Sequence, residues 1–192
     1  MMTNKDKYES FVEHPRYGQR PHFTGLNPQD SFLHWHSPPS CRIPETAIAA
    51  DLERQTPATV AVTHYFDVER TCRDCDRSFI FFAREQQYWY ETLNFGLDSD
   101  CVRCPECRKK QQGIAQARER YEELFHVAHR TTDETLEMAS VCMELVKEGV
   151  FHMRQTEHIR MLLNSLPNAF IDDRRYKRVL KSLKGLTDET QK

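Results

Sequence analysis

Cys72-Arg-Asp-Cys75 and Cys101-Val-Arg-Cys104-Pro-Glu-Cys107 together hold five of the seven cysteines in this chain of 192 residues. Two thiols separated by two residues can reach one point, because a tight turn brings both sulfurs to the same side. Two such pairs can surround a tetrahedral ion. The spacing therefore predicts a zinc site built from cysteine alone. Five cysteines compete for four places. The favoured set is Cys72, Cys75, Cys104 and Cys107, since Pro105 is suited to the first position of a helix and the last pair would then lie at a helix start. Cys101 and Cys104 have the same two-residue spacing, so at this point the fourth ligand stays open between Cys101 and Cys107. An iron–sulfur cluster could use the same residues, but nothing in the sequence supplies a redox partner site.

Four thiolates on one Zn2+ leave a formal charge of about minus two, which needs basic groups nearby. Arg73, Arg77, Arg103, Arg108, Lys109 and Lys110 flank the cysteines. They read equally as compensation for that charge or as a surface for nucleic acid. A site with four sulfur ligands has no open coordination position, so the expected cofactor is one structural zinc.

Upstream of the first pair, Ala58-Thr-Val-Ala-Val-Thr-His-Tyr-Phe66 is β-branched and partly alternating, and Ser78-Phe-Ile-Phe-Phe82 is a second strand candidate. Arg84 to Phe95 has the composition of a helix, with Gly96 as its stop. Pro44 followed by Glu45–Gln55 predicts a short helix closed by Pro57. Residues 1–43 are rich in proline, glycine, serine and aromatics. They predict an irregular arm that lies on the globule, with Phe23, Phe32 and Trp35 as anchors.

Downstream the pattern turns helical. Ile114, Ala117, Tyr121, Leu124, Phe125 and Ala128 recur three and four residues apart along a long helix that starts near Pro105. Thr131 and Glu134 are spaced for a capping box, opening a helix that faces Leu136, Ala139, Met143 and Val146 inward and ends at Gly149. A third helix spans about 150–166, with Ile159, Leu162, Leu163 and Leu166 apolar. A fourth, about 171–184, carries Val179, Leu180 and Leu183. Short connections make these antiparallel neighbours.

Cys72-x-x-Cys75, Phe79, Phe81, Glu85-Gln86, Tyr88 and Arg103-Cys104-x-x-Cys107-Arg108 resemble a bacterial family of probable zinc-ribbon domains of treble-clef type. The resemblance covers residues 66–110 or so. It implies zinc binding without one shared activity, and it implies that Glu85 and Gln86 tie their helix to the cysteine turn. Cys101 departs from the family pattern, which has an ordinary turn residue there.

Other candidate ligands are His34 and His36, with Cys41 nearby, as a second metal site, and His126 and His129, three residues apart on the long helix. Packing or surface roles are the preferred reading of both pairs. Cys142 lies among Val141, Met143 and Leu145 and reads as a small buried hydrophobe. Arg174, Arg175, Lys177, Arg178, Lys181 and Lys184 give the final helix a basic face. With Tyr88, Trp89 and Tyr90 it could track phosphates and stack bases.

The whole-chain net charge of −2 favours no partner class. No phosphate loop, nucleophile elbow or His-Glu-x-x-His motif occurs, so the expectation is a protein that is not an enzyme. No apolar run approaches a membrane span and the start lacks a secretory pattern, which places the expected location in the cytoplasm with no membrane partner. The resulting expectation is an α-rich α+β chain: an arm with a short helix (1–57), a treble-clef or zinc-ribbon module (58–112), and an antiparallel helical bundle (113–192). Its expected partner is a macromolecule, protein before nucleic acid, rather than a small-molecule substrate.

Overall fold

The computed structural model describes residues 7–28, 38–59 and 62–189. The chain divides into two compact units, 1–109 and 110–192. In the first, β1 (Ile48–Ala49) pairs antiparallel with β2 (His64–Tyr65), and β3 (Val68–Thr71) pairs antiparallel with β4 (Ser78–Phe81) in the register Val68 to Phe81 and Thr71 to Ser78. Helix α1 (Ala83–Gln87) runs into a π-helical turn at Tyr88–Thr92. Helix α2 (Pro105–His126) begins in the first unit and continues in the second. The second unit adds α3 (Thr132–Lys147), α4 (Gln155–Asn164) and α5 (Arg174–Glu189).

Apolar side chains in the first unit form three small clusters rather than one core. Val12, Phe79 and Phe81 gather with Cys72, Cys101 and Cys104, and Tyr8, Phe11, Ile43, Ile80 and Phe82 form a second group. Val62, Tyr65, Ala83, Tyr90 and Leu97 form the third. Such clusters give little stabilisation individually, so an ion that links the chain here adds what a larger core would otherwise supply.

The arm does lie on the first unit, but its anchors differ from those expected. Tyr8, Phe11 and Val12 are buried, and the Val12 N–H donates to the Ser78 carbonyl at 2.8 Å. Phe23 instead stands 63% exposed, and Phe32 and Trp35 lie outside the described residues.

The short helix expected over Pro44–Gln55 does not form. Glu45 has φ 63, a left-handed conformation that a helix cannot contain, and its carbonyl accepts from the Thr24 N–H at 2.7 Å. The Ala47 N–H donates to Leu26, and Ile48–Ala49 pairs with β2. A segment of about twelve residues is marginal as an isolated helix, so backbone partners elsewhere in the chain prevail. Asp67 organises this region from a buried position. Its carboxylate accepts from the N–H groups of His22 and Ala83, both at 2.7 Å, and its own N–H donates to the Thr46 hydroxyl.

Strand β3 has no strand signal of its own, because Val-Glu-Arg-Thr offers one apolar residue and two charges. Its pairing with phenylalanine-rich β4 defines it. The helix expected over 84–95 ends earlier, passing through the π-turn to Asn94 at φ 53, so asparagine rather than Gly96 occupies the left-handed position.

Helix caps in the second unit follow the sequence closely. The Glu134 N–H donates to the Thr131 hydroxyl at 3.2 Å while the Thr131 N–H donates to the Glu134 carboxylate at 2.7 Å. At the other end Gly149 has φ 68, with its N–H bonded to Val146 and the Val150 N–H bonded to Leu145, the double closure of a Schellman motif. That closure occupies residues 149–151, so α4 begins at Gln155 instead of near 150. Leu136, Ala139, Met143, Val146, Ile159, Leu162, Leu163, Val179 and Leu183 share one core. On α2, Ala117 and Leu124 are buried as expected, but Phe125 is 56% exposed and Ala128 lies beyond the helix. Among the described residues no helix is long and apolar enough to cross a membrane.

Candidate metal centre

Cys72 directly follows the last residue of β3, and Cys75 lies in the turn to β4. Asp76 closes that turn at φ 56, its N–H donating to the Cys72 carbonyl at 2.9 Å, while the Cys72 N–H donates to Arg77 at 2.9 Å. Cys104 directly precedes Pro105, the first residue of α2, and Cys107 lies in that helix's first turn. A proline here loses no helical hydrogen bond, and its fixed φ suits the helix start.

The sulfurs of Cys72, Cys75, Cys104 and Cys107 all lie within 4.8 Å of one another, and Cys75 Sγ is 3.8 Å from Cys104 Sγ. A Zn–S bond of about 2.3 Å makes the edge of a tetrahedron about 3.8 Å, so the four donors have the spacing that one zinc requires. Cys101 takes no part. Its buried Sγ points to the Arg103 carbonyl at 3.5 Å, and burial pushes its thiol up to about 12.

The site is built for anionic sulfur. Burial alone would raise the Cys72 thiol, but the backbone N–H groups of Cys104, Asp74 and Cys75 directed at it bring it down to about 6. Cys104 and Cys107 are instead pushed up, first by burial and then by hydrogen bonds shared among neighbouring cysteine sulfurs. The Cys72 thiolate forms readily, whereas Cys104 and Cys107 resist ionisation without a cation between them. Zinc removes that conflict and releases their protons, so affinity must rise with pH.

Two ligand-bearing segments are fastened to each other by more than metal. The Arg73 N–H donates to the Val102 carbonyl at 2.9 Å, Arg103 Nε meets Asp74 at 2.8 Å and Arg70 meets Asp100 at 3.1 Å. Arg77 pairs with Glu106. The flanking cations are therefore occupied locally. Arg73 and Arg103 pair with Asp74, Arg77 with Glu106 and Arg108 with Glu85, while Lys110 pairs with Glu148 at 2.6 Å. Little net positive charge remains there.

Glu85 ties α1 to the cysteine-bearing start of α2, whereas Gln86 ties it to β4 and the segment before β3. Gln86 donates from Nε2 to the carbonyls of Phe66 and Phe81 at 2.6 and 2.9 Å. Buried Glu85 Oε1 accepts from Arg108 Nη2 at 2.7 Å, one residue past Cys107, and lies 3.2 Å from His14 Nε2. No local pattern singles out His14, which sits before a proline in a stretch without periodicity.

This arrangement of a hairpin knuckle and a helix start, each giving two thiols, decides the comparison with known proteins. Residues 66–116 match the family model described as a probable treble clef domain. The treble clef segment thus contains β3, β4, α1 and the first half of α2. No curated protein and no solved structure matches the chain.

The remaining candidates separate clearly. Among the described residues the four treble clef cysteines are the one group of three or more donors spaced for a metal. His126 and His129 are both exposed, and Cys142 is fully buried in the helical core, where burial pushes its thiol up to about 11. His34 and His36 lie outside the described residues.

Proposed function

We propose that the chain is a zinc-stabilised scaffold without chemistry of its own that engages another protein. The observation that supports this reading most is an apolar exposed edge on the first unit. Thr56 Oγ1 donates to the Asn94 carbonyl at 3.2 Å and the Asp51 N–H donates to Glu91 at 2.8 Å, which holds the 51–56 turn beside the end of the π-turn. Leu52, Leu93 and Phe95 there are 50%, 42% and 41% exposed. Large apolar side chains left in water on neighbouring segments favour a protein surface as their cover. Local pairing of the cations around the metal centre weakens the rival use of that region as a phosphate track.

A second reading, nucleic-acid binding, draws on α5, where Arg174, Arg178 and Lys181 face solvent while Arg175 and Lys177 pair with Asp173, Asp133 and Asp172. Both readings are separated by affinity capture with full-length protein and with a Leu52→Glu/Leu93→Glu variant, using nuclease treatment and a high-salt wash. A protein retained by the first and lost from the second supports the scaffold reading. Retention only of nucleic acid, released by salt and lost on reversing the α5 charges, overturns it.

A further inference from the structure

We infer that the arm outside the treble clef match is a working part of the metal centre, with His14 acting through Glu85 and Arg108 as a positioning residue for Cys104 and Cys107. The hydrogen bonds of the imidazole define its state. Nδ1 accepts from the N–H groups of both Arg16 and Tyr17 at 3.1 Å, so it carries no proton. Nε2 therefore holds the ring's hydrogen and donates it to Glu85 Oε1 at 3.2 Å. The same oxygen accepts from Arg108 at 2.7 Å, and the Arg108 guanidinium lies 5.2 Å from the centre of the Trp89 ring.

This chain of contacts ends on the ligand helix. The Arg108 N–H donates to the Cys104 carbonyl at 2.9 Å, within the first turn that carries both Cys104 and Cys107. Glu85 Oε2 has no partner and is buried, so the carboxylate depends on His14 and Arg108 to offset its loss of water. The arm makes a second, independent approach. Val12 bonds to Ser78 in β4 and its side chain packs with Cys72, Cys104 and Phe79. Groups that hold ligands in place typically alter metal affinity by about tenfold to a hundredfold when removed. Coupling is reciprocal, so zinc must hold the arm as strongly as the arm holds zinc.

The two nitrogens of His14 can be tested separately in the full-length protein. Asparagine mimics Nδ1 and keeps the acceptor for the Arg16 and Tyr17 amides, whereas glutamine mimics Nε2 and keeps the donor to Glu85. Zinc dissociation constants come from competition with a chromophoric chelator. His14→Asn should bind zinc about tenfold or more weakly, while His14→Gln stays near wild type. Equal affinity of His14→Asn and wild type, or equal weakening of both variants, overturns the inference. If the variants do not fold, hydrogen exchange at the Val12 N–H of the wild-type protein serves instead. Zinc removal should abolish its protection, and protection that survives removal contradicts the coupling.

Discussion

Cys101 and Cys107 mark the difference between a buried thiol and a ligand. Each stands three residues from Cys104, so spacing alone left the choice open, and the direction of the helix that starts at Pro105 resolves it. Cys107 turns back toward the hairpin. Cys101 turns into the apolar cluster. Cys107→Ser should lose zinc and unfold the first unit, because the binding energy of such sites, about 10–16 kcal/mol, is as large as the whole stability of a small domain. Cys101→Ala should keep one zinc per chain and cost about 1 kcal/mol as a small packing loss. Metal analysis and thermal melting of the two variants distinguish them. The ligand pairs were legible in the sequence because each is a local pattern. His14 was not, since its partner Glu85 is 71 residues away and nothing in its own neighbourhood announces it.

The two caps of α3, being local as well, are legible in the sequence, whereas the start of α4 and elements defined by distant partners are not. The capping box of α3 and the glycine after it needed only four or five consecutive residues. By contrast, β3 is a strand because β4 lies beside it, and 44–55 is not a helix because Thr24, Leu26 and β2 take its backbone groups. Thr131→Ala should destabilise the helical unit by about 1 kcal/mol, measured by denaturant unfolding. The bonds from Thr131 hold the Glu134 carboxyl below its usual range. Its contribution is therefore complete at neutral pH and fades as pH falls through the carboxylate range. Gly149→Ala tests the other end. No atom lies within 4 Å of the added Cβ, so the expected loss of about 1 kcal/mol reflects left-handed backbone strain alone.

Across the molecule, the two units are held together internally by different means. Residues 110–192 share one continuous apolar core from four helices, whereas residues 1–109 distribute theirs among three clusters, one of them lined by ligand cysteines. A chelator should therefore remove amide protection from the first unit and leave that of α3, α4 and α5 largely intact, as read by hydrogen exchange with mass spectrometry. Simultaneous loss throughout would show that the helical core cannot stand without the metal.

A single tetrahedral ion held by Cys72, Cys75, Cys104 and Cys107 is the centre on which the first unit depends. X-ray absorption at the zinc edge on protein purified without chelator, combined with metal analysis, tests it most directly. One zinc per chain with four sulfur neighbours at about 2.3 Å is the predicted result. A first shell containing nitrogen or oxygen, or a folded first unit free of metal, would contradict it.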